Sequence, residues 1–330
     1  MTAPPHRLPH PDTPESRARW LHDIGGLSVE EIGWRLGLPS ERVQALLAQG
    51  PTEAVPHPES AEGARLIRRL SRRLREQFGL EAVSIAPMAP GDVDPVPVIA
   101  AAAARHLVRL LQARNAPAVV GLSHGRTIAA MVAQLPEMRL TGLRFVSLLG
   151  ELTFAHSAYP HVVMNQIAQR LGAQAFPCPT ALYAATPEEA ADLLRQPMVR
   201  KVLEMAQQAE VWVVGIGRGA SENQLHQSGM IDDADLSDIM ARGATCEILG
   251  RFFDDEGHEL PSALAARTLS PAASDFRGRR VIGLAGGVDK VTALHAALRA
   301  HLLRELVTDS RTAVALLDDD EQAEYAALLP

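Results

Sequence analysis

Three stretches of the chain combine an apolar run with glycines and polar side chains that could hold an anion. In residues 119–132, an apolar run leads into the loop Gly121-Leu-Ser-His-Gly-Arg-Thr127, and apolar residues then recur at helical spacing. This pattern predicts a strand, a loop and a helix. Backbone N–H groups at a helix start have no intrahelical partner and lie at the positive end of the helix dipole. The loop therefore predicts a seat for a phosphate or a carboxylate.

Two later stretches repeat this arrangement. Residues 211–217 and 281–290 each carry a β-rich run into glycines. Open α/β sheets bind ligands outside the carboxyl ends of their strands, so we expect the three loops to converge on one small anionic molecule. The groups suited to holding it are donors of hydrogen bonds, a point charge and glycines that allow close backbone approach: Ser123, Arg126, Thr127, Lys290, Gly286 and Gly287.

The composition indicates a globular protein of a reducing compartment. Of 330 residues, 47% are hydrophobic, enough for a sizeable core, and two cysteines are too few for a disulfide framework. The net charge of −7 argues against wholesale coating of nucleic acid. The N-terminus has no apolar core typical of a signal peptide, and charged residues interrupt the alanine-rich run 98–111. We expect a cytoplasmic protein without a membrane span.

The first 51 residues predict a tail and a small helical domain. Residues 1–14 contain five prolines and are expected to be disordered. Residues 15–51 carry three short helical patterns, the second opened by the capping box Ser28-Val-Glu-Glu31 and followed by the turn Gly37-Leu-Pro39. This spacing predicts a helix-turn-helix DNA-binding domain. Its candidate contacts with DNA are Arg35, Ser40, Arg42 and Gln44.

An alternative stays open for this domain. Between residues 15 and 50, four arginines stand against five acids, a net charge of −1, whereas DNA-reading domains normally carry excess positive charge. A small helical cap that packs on the main domain would also fit the pattern.

Residues 52–79 are predicted as a linker and an arginine-rich helix. Five arginines fall at the spacings of one helix face, and apolar residues lie on another. Those arginines are Arg65, Arg68, Arg69, Arg72 and Arg73. Two interpretations stay open: a solvated charged face, or contact with DNA phosphates, for which Arg65, Arg69 and Arg72 are the candidates.

Residues 80–330 alternate β-rich with helical patterns. Strands are predicted near residues 82–86, 118–122, 144–149, 174–177, 211–215, 247–253, 280–285 and 306–308. Helices are predicted over residues 98–113, 127–135, 161–171, 187–209, 234–242, 290–299 and 310–317. Alternation of this kind predicts an α/β fold with a doubly wound, mainly parallel sheet.

Two motifs suggest other chemistry. The segment 121–125 matches G-x-S-x-G, in which Ser123 would be the nucleophile of an α/β-hydrolase; Asp254 or Asp275 with His295 or His301 follow in the required order, but no upstream segment supplies a second oxyanion donor. The segment 215–220 reads as the dinucleotide fingerprint G-x-G-x-x-A, yet the residues after it are polar and do not form the required apolar helix. No cofactor is expected, and no histidine spacing indicates a metal site.

In their order and spacing, several segments resemble the SorC/DeoR-type sugar-binding transcriptional regulators of bacteria. The resemblance covers residues 17–317. Its carriers are the segments 27–37, 78–80, 121–127, 214–217, 252–257, 285–290 and 306–313. It implies an operator-binding head and a sensor domain with the fold of ribose-5-phosphate isomerase and glucosamine-6-phosphate deaminase. It also implies a homodimer or homotetramer whose effector is a phosphorylated sugar.

The resemblance also implies site residues. The loop Gly121, Ser123, His124, Gly125, Arg126 and Thr127, and the segment with Gly286, Gly287 and Lys290, would hold the phosphate. Gly215 and Gly217 belong to the second loop, and Asp254 would accept hydrogen bonds from sugar hydroxyls. An isomerase or deaminase on the same scaffold is the other hypothesis; Asp254 would then be the general base and Lys290 would stabilise an enediolate.

Overall fold

The structure is a computed structural model that describes residues 28–36, 38–48, 61–88, 92–151, 162–219 and 223–326. The chain divides into two compact units, residues 1–57 and residues 58–330. The arginine-rich helix belongs to the second unit. The predicted tail 1–14 and the predicted first helix of the DNA-binding domain lie outside the described residues.

In the described part of the first unit, two short helices pack around a small core. Helix α1 (Val29–Leu36) and helix α2 (Ser40–Ala48) enclose a small core of Ile32, Val43 and Leu46. The exposed face of α2 carries Ser40, Arg42 and Gln44, three of the candidate DNA contacts. Arg35 lies on α1, and its side chain is outside the described part of the chain.

Gly33 makes the turn between these helices possible. The N–H of Leu38 donates to the Gly33 carbonyl at 2.9 Å, and a Cβ at position 33 would lie 2.7 Å from the Leu38 carbonyl oxygen. A glycine at this spacing is typical of helix-turn-helix units. Because the first of the three predicted helices is not described, the complete helix-turn-helix stays a prediction.

The second unit is built on a seven-stranded parallel sheet in the order β1-β10-β9-β5-β2-β3-β4. A separate three-stranded antiparallel sheet has the order β6-β7-β8. The strands are β1 (Ala82–Ala86), β2 (Val119–Leu122), β3 (Arg144–Ser147), β4 (Gln174–Phe176), β5 (Val211–Gly215), β6 (Gly217–Arg218), β7 (Cys246–Ile248), β8 (Arg251–Phe253), β9 (Arg280–Leu284) and β10 (Glu305–Asp309).

Helices follow or precede most strands of the large sheet. They are α3 (Ala61–Phe78), α4 (Val96–Leu111), α5 (Arg126–Ala133), α6 (Val162–Leu171), α7 (Pro187–Arg195), α8 (Pro197–Gln208), α9 (Gln224–Gln227), α10 (Asp233–Ala241), α11 (Ala263–Ala266), α12 (Val291–Arg299), α13 (Ser310–Ala315) and α14 (Asp319–Ala326). None of the helices in the described ranges combines the length and the apolar character that crossing a bilayer requires.

Apolar clusters cover both faces of the sheet. On β5, Val211 and Val213 belong to the cluster formed with α4, α5 and α6, whereas Trp212 and Val214 belong to the cluster formed with α3, α8, α12 and α13. Alternate residues of a strand point to opposite faces, so helices pack on both sides of the sheet. The predicted doubly wound, parallel α/β fold is confirmed.

Two sequence predictions were wrong in detail. Residues 247–253 do not form one strand of the large sheet; β7 and β8 form a hairpin because Leu249 and Gly250 both have positive φ, 58° and 77°. Residues 187–209 form two helices, since Gln196 is extended and Pro197 starts α8. Proline is favoured at a helix start but breaks a helix interior.

Candidate functional site

A cavity of about 400 Å³ opens beyond the carboxyl ends of β2 and β5. Here the chain order reverses, because β2 leads to β3 and β4 on one side whereas β5 leads to β9 and β10 on the other. Such a switch point is where open α/β sheets bind ligands. The loops after β2 and β5, the β7–β8 turn and residues 289–290 all line the cavity.

The loop after β2 is tied to the carboxyl end of β5 by a buried hydroxyl. Ser123 is 3% exposed, and its Oγ accepts the N–H of Gly215 at 3.0 Å. Gly125, with a φ of 124°, immediately precedes α5 and offers no side chain to cap it. The first-turn N–H groups of a helix have no intrahelical partners. Arg126 and Thr127 supply that first turn, and both line the cavity.

The side chain of His124 is held by a hydrogen bond to the last residue of β3. Its Nε2 lies 2.8 Å from the Oγ of Ser147, whose hydroxyl donates to the carbonyl of Leu149 at 2.7 Å. Because that proton is committed to Leu149, the Ser147 oxygen accepts from His124, which therefore carries its proton on Nε2. The ring forms part of the cavity wall.

Lys290 brings an ammonium group to the other side of the cavity. It stands at the start of α12, and its Nζ donates to the carbonyl of Ile216 at 2.9 Å. Burial lowers the pKa of Lys290, and the nearby charge of Arg126 lowers it further. An anionic ligand would oppose both effects, so the cavity is better suited to a phosphate than to a cation.

Positive groups dominate the charged part of the wall. Arg126, Arg218 and Lys290 line the cavity together with Asp289 and Glu247. Arg218 pairs with Asp289 at 3.2 Å, which orients the guanidinium group at the rim. Guanidinium and ammonium groups of this kind are the usual partners of phosphate oxygens.

Glu247 is a cavity residue that sequence reasoning missed. Its Oε1 accepts the N–H of Gly250 at 2.6 Å across the β7–β8 turn. Burial raises the pKa of Glu247 from its usual 4.5 to about 7, while the bond from Gly250 and the charge of Lys290 act in the opposite direction. One signal was available in the sequence: an acid stands alone in the otherwise apolar run Cys246-Glu-Ile-Leu249.

Eight of the twelve predicted effector residues line the cavity: Ser123, His124, Gly125, Arg126, Thr127, Gly215, Gly217 and Lys290. The other four, Gly121, Asp254, Gly286 and Gly287, do not. Gly121 is buried where a Cβ would collide with Leu148 and Trp212, so its role is packing within the sheet.

Asp254 is occupied by its own turn. Its Oδ1 accepts the N–H groups of Glu256 and His258, at 3.1 and 2.8 Å. The predicted contact between Asp254 and sugar hydroxyls does not match this position, because the acids that line the cavity are Glu247 and Asp289. Gly286 and Gly287 lie beside the buried Asp309, and the N–H of Gly287 donates to that side chain and to Thr312.

The rival motifs do not assemble. The acids and histidines considered for a hydrolase triad, Asp254, Asp275, His295 and His301, are not among the residues around Ser123 in the cavity wall. The glycines of the dinucleotide motif do not open a helix, because Gly217 and Arg218 form β6 against β7. Within the described ranges, no group of three or more His, Cys, Asp or Glu side chains is placed to hold a metal ion.

Comparison with known proteins decides the family. The family model described as "Putative sugar-binding domain" matches residues 65–318. The chain is also 36% identical over 302 residues to the erythritol catabolism regulatory protein EryD of Brucella abortus (strain 2308), an alignment that covers 91% of this chain and 95% of EryD. The chain belongs to the SorC/DeoR-type family of sugar-binding transcriptional regulators.

Two other proteins are similar to this chain over nearly its whole length. The transcriptional regulator LsrR of Escherichia coli (strain K12) is 28% identical over 310 residues, with 92% of this chain and 93% of LsrR covered. The full-length sorbitol operon regulator SorC from Klebsiella pneumoniae has the same fold, with a TM-score of 0.72 at 21% identity, covering 92% of this chain and 98% of SorC.

Proposed function

We propose that the chain is a DNA-binding transcriptional regulator whose second unit binds a phosphorylated sugar, and that this effector alters the affinity of the first unit for operator DNA. One observation carries the proposal: Arg126, Arg218 and Lys290 surround a single cavity at the switch point of the sheet, in a chain of this family. The protein would act in the cytoplasm as a homodimer or homotetramer, with no cofactor.

The cavity offers separate positions for the two ends of such an effector. The start of α5 and the cationic groups suit a phosphate, because backbone N–H groups and fixed positive charge stabilise a dianion together. Glu247 suits a hydroxyl, since a carboxylate accepts hydrogen bonds and a protonated carboxyl both accepts and donates them. An effector with a phosphate and several hydroxyls would satisfy both positions.

Only some arginines of α3 are suited to contact DNA. Arg65, Arg68, Arg69 and Arg72 are exposed on α3. Arg73 is paired with Glu321 at 2.6 Å, and the guanidinium of Arg69 lies 5.4 Å from the ring centre of Tyr325. Arg65 and Arg72 are therefore the preferred candidates for phosphate contact, together with Ser40, Arg42 and Gln44 on α2.

The test is fluorescence anisotropy of the purified protein on labelled DNA from upstream of its own gene, at two salt concentrations. The effector panel pairs each compound with its phosphate ester: ribose and glucose, and also erythritol and sorbitol, which the names of two relatives mention. We expect salt-dependent binding that one phosphate ester changes about 5- to 150-fold, and its unphosphorylated counterpart does not. If this DNA binds no tighter than random DNA, the proposed binding to an operator is wrong. If only the unphosphorylated compound changes the affinity, the proposed recognition of a phosphate is wrong.

A second candidate, an isomerase or deaminase, gains one observation from the structure. A carboxyl whose pKa is about 7, as burial makes that of Glu247, is suited to general base catalysis near neutral pH. We propose that the cavity is nevertheless a receptor. Pentose and hexose phosphates incubated with the protein in deuterated water should show no exchange at C1 or C2 by proton NMR, and exchange that the Glu247→Gln substitution abolishes would establish the enzyme instead.

A further inference from the structure

The residues that end β10 and begin α13 form a closed set of hydrogen bonds with a turn at the cavity. The N–H of Gly287 points at the Oγ1 of Thr312 at 2.7 Å and at the Oδ2 of Asp309 at 3.1 Å. The hydroxyl of Thr312 in turn donates to the same Oδ2 at 2.6 Å. Asp309 and Thr312 are 1% and 0% exposed, so water does not compete for these bonds.

A helix cap alone would not need this arrangement. The Oδ1 of Asp309 already caps α13 by accepting the N–H of Thr312 at 2.9 Å. Its second oxygen is spent on Gly287, which precedes α13 by more than twenty residues. Position 286 must be glycine because a Cβ there would collide with that same oxygen and with Ile99.

The bonded turn leads directly to Lys290. The carbonyl of Gly287 accepts the N–H of Lys290 at 2.9 Å, and Gly287 has a φ of 106° that other residues rarely adopt. From there, the Lys290 ammonium reaches the carbonyl of Ile216 in the cavity wall. The orientation of the Gly287 peptide therefore sets where the Lys290 side chain begins.

We propose that Asp309 and Thr312 are positioning residues, which hold the 286–290 turn so that Lys290 meets the phosphate of the effector. The inference rests on the proposed function of the cavity. It gives the segment 306–313, which has no contact with the cavity, a defined role: its two side chains act on the effector through the backbone of Gly287.

Substitutions at this junction separate the turn from the helix cap. Thr312→Val keeps the shape but removes the hydroxyl that accepts from Gly287, whereas Thr312→Ser keeps it. Asp309→Asn retains a residue that caps helices as well as aspartate does, but its single side-chain oxygen cannot serve both Gly287 and Thr312 as the two carboxylate oxygens do. Ser310→Ala is the matched control, since the hydrogen bond of the Ser310 hydroxyl is with the N–H of Met88, at 3.0 Å, on a different segment of the chain.

The experiment measures two quantities on the full-length chain. The first is amide hydrogen exchange at Gly287, followed by mass spectrometry of peptides from this region. The second is the affinity for the phosphate ester that the wild-type protein binds best, by calorimetry. We expect Thr312→Val and Asp309→Asn to speed exchange at Gly287 and to weaken binding, each by about tenfold or more. Thr312→Ser and Ser310→Ala should match the wild type in both.

The outcomes distinguish the inference from the function on which it rests. Unchanged exchange at Gly287 in Thr312→Val overturns the inference whatever the protein binds, and faster exchange with undiminished affinity overturns it as well. If the wild type binds no phosphate ester, the proposed function is wrong instead. The exchange data then show whether Asp309 and Thr312 hold the 286–290 turn. If Thr312→Val does not fold, Asp309→Asn decides by the same two readouts.

Discussion

The carboxylate of Glu247 occupies the space that a Cβ on Gly217 would need. The ideal Cβ position at residue 217 collides with Glu247 Oε2, and the other oxygen of the carboxylate is held by the N–H of Gly250. Gly217 is therefore required for the acid that lies beside it. Two glycines of different segments thus seat one half-buried acid in the cavity wall.

Gly217→Ala is expected to displace Glu247 and to weaken binding of the phosphorylated effector by about tenfold or more. The added methyl group overpacks a close contact between half-buried residues, and overpacking typically destabilises a protein by about 1–3 kcal/mol. Calorimetry of effector binding and urea unfolding measure the two effects separately. The chain should remain folded, because the main sheet contains neither residue.

A double-mutant cycle isolates the contact. In a Glu247→Ala background there is no carboxylate to displace, so adding Gly217→Ala should cost little further affinity. If the two substitutions weaken binding additively, the alanine acts on the ligand directly and the relationship between the two residues does not carry the effect.

The stability of the second unit should fall between pH 4.5 and pH 7 through Glu247. Burial raises the pKa of this carboxyl to about 7 in the folded state, so the folded protein holds a proton that the unfolded chain releases near its usual 4.5. The contribution is fully present below pH 4.5 and is lost as the pH rises through 7, and it amounts to something on the order of 3 kcal/mol. Glu247→Gln mimics the neutral form and should flatten this dependence.

The measurement is the melting temperature of both proteins across that pH range. Glu256→Gln, at an exposed acid, serves as the control and should follow the wild type. Parallel curves for the wild type and Glu247→Gln would instead show that folding does not change the pKa of Glu247.

The sequence predicted the large sheet well because its strands are continuous apolar runs, such as Val211-Trp-Val-Val214. It misjudged residues 247–253 because the hairpin turns at Leu249, a non-glycine residue with positive φ that no propensity indicates. The wrong prediction of one strand over residues 247–253 also affected the choice of the acid in the site. Charged and apolar residues are mixed on one face of this segment (Glu247, Leu249, Arg251 and Phe253), so alternation could not show that Glu247 lines the cavity and Asp254 does not.

Long-range partners account for the other difference at the site. Gly286 and Gly287 were expected to contact the effector because glycines near a helix start often do so. Their actual partner, Asp309, lies on the neighbouring strand β10, and nothing in the local sequence links the two segments. The position of residues 123–127 in the cavity wall was predictable from the sequence. The strand before this loop and the helix after it fix its location at the switch point of the sheet.

The arginines of α3 should differ in their effect on DNA binding. If α3 contacts phosphates, Arg72→Ala removes an exposed charge and should reduce the slope of log affinity against log salt concentration by about 1. Arg73→Ala should leave that slope unchanged, because Arg73 is already paired with Glu321. Anisotropy titrations at several salt concentrations measure both slopes. Equal slopes in the wild type and Arg72→Ala would instead indicate a solvated face with no role in DNA contact.

Lys290→Ala should weaken the response to the phosphorylated effector about 10- to 100-fold while leaving DNA binding without effector intact. The same direction is expected for Arg126→Ala, which lies at the start of α5. Lys201 is the only other lysine of the chain and is exposed on α8, so Lys201→Ala is a control of identical chemistry away from the cavity. Anisotropy with and without the effector gives both quantities from one titration. A folded Lys290→Ala protein that no longer binds DNA would mean that the cavity residue supports the DNA-bound arrangement itself, because a ligand contact alone changes affinity only when the ligand is present.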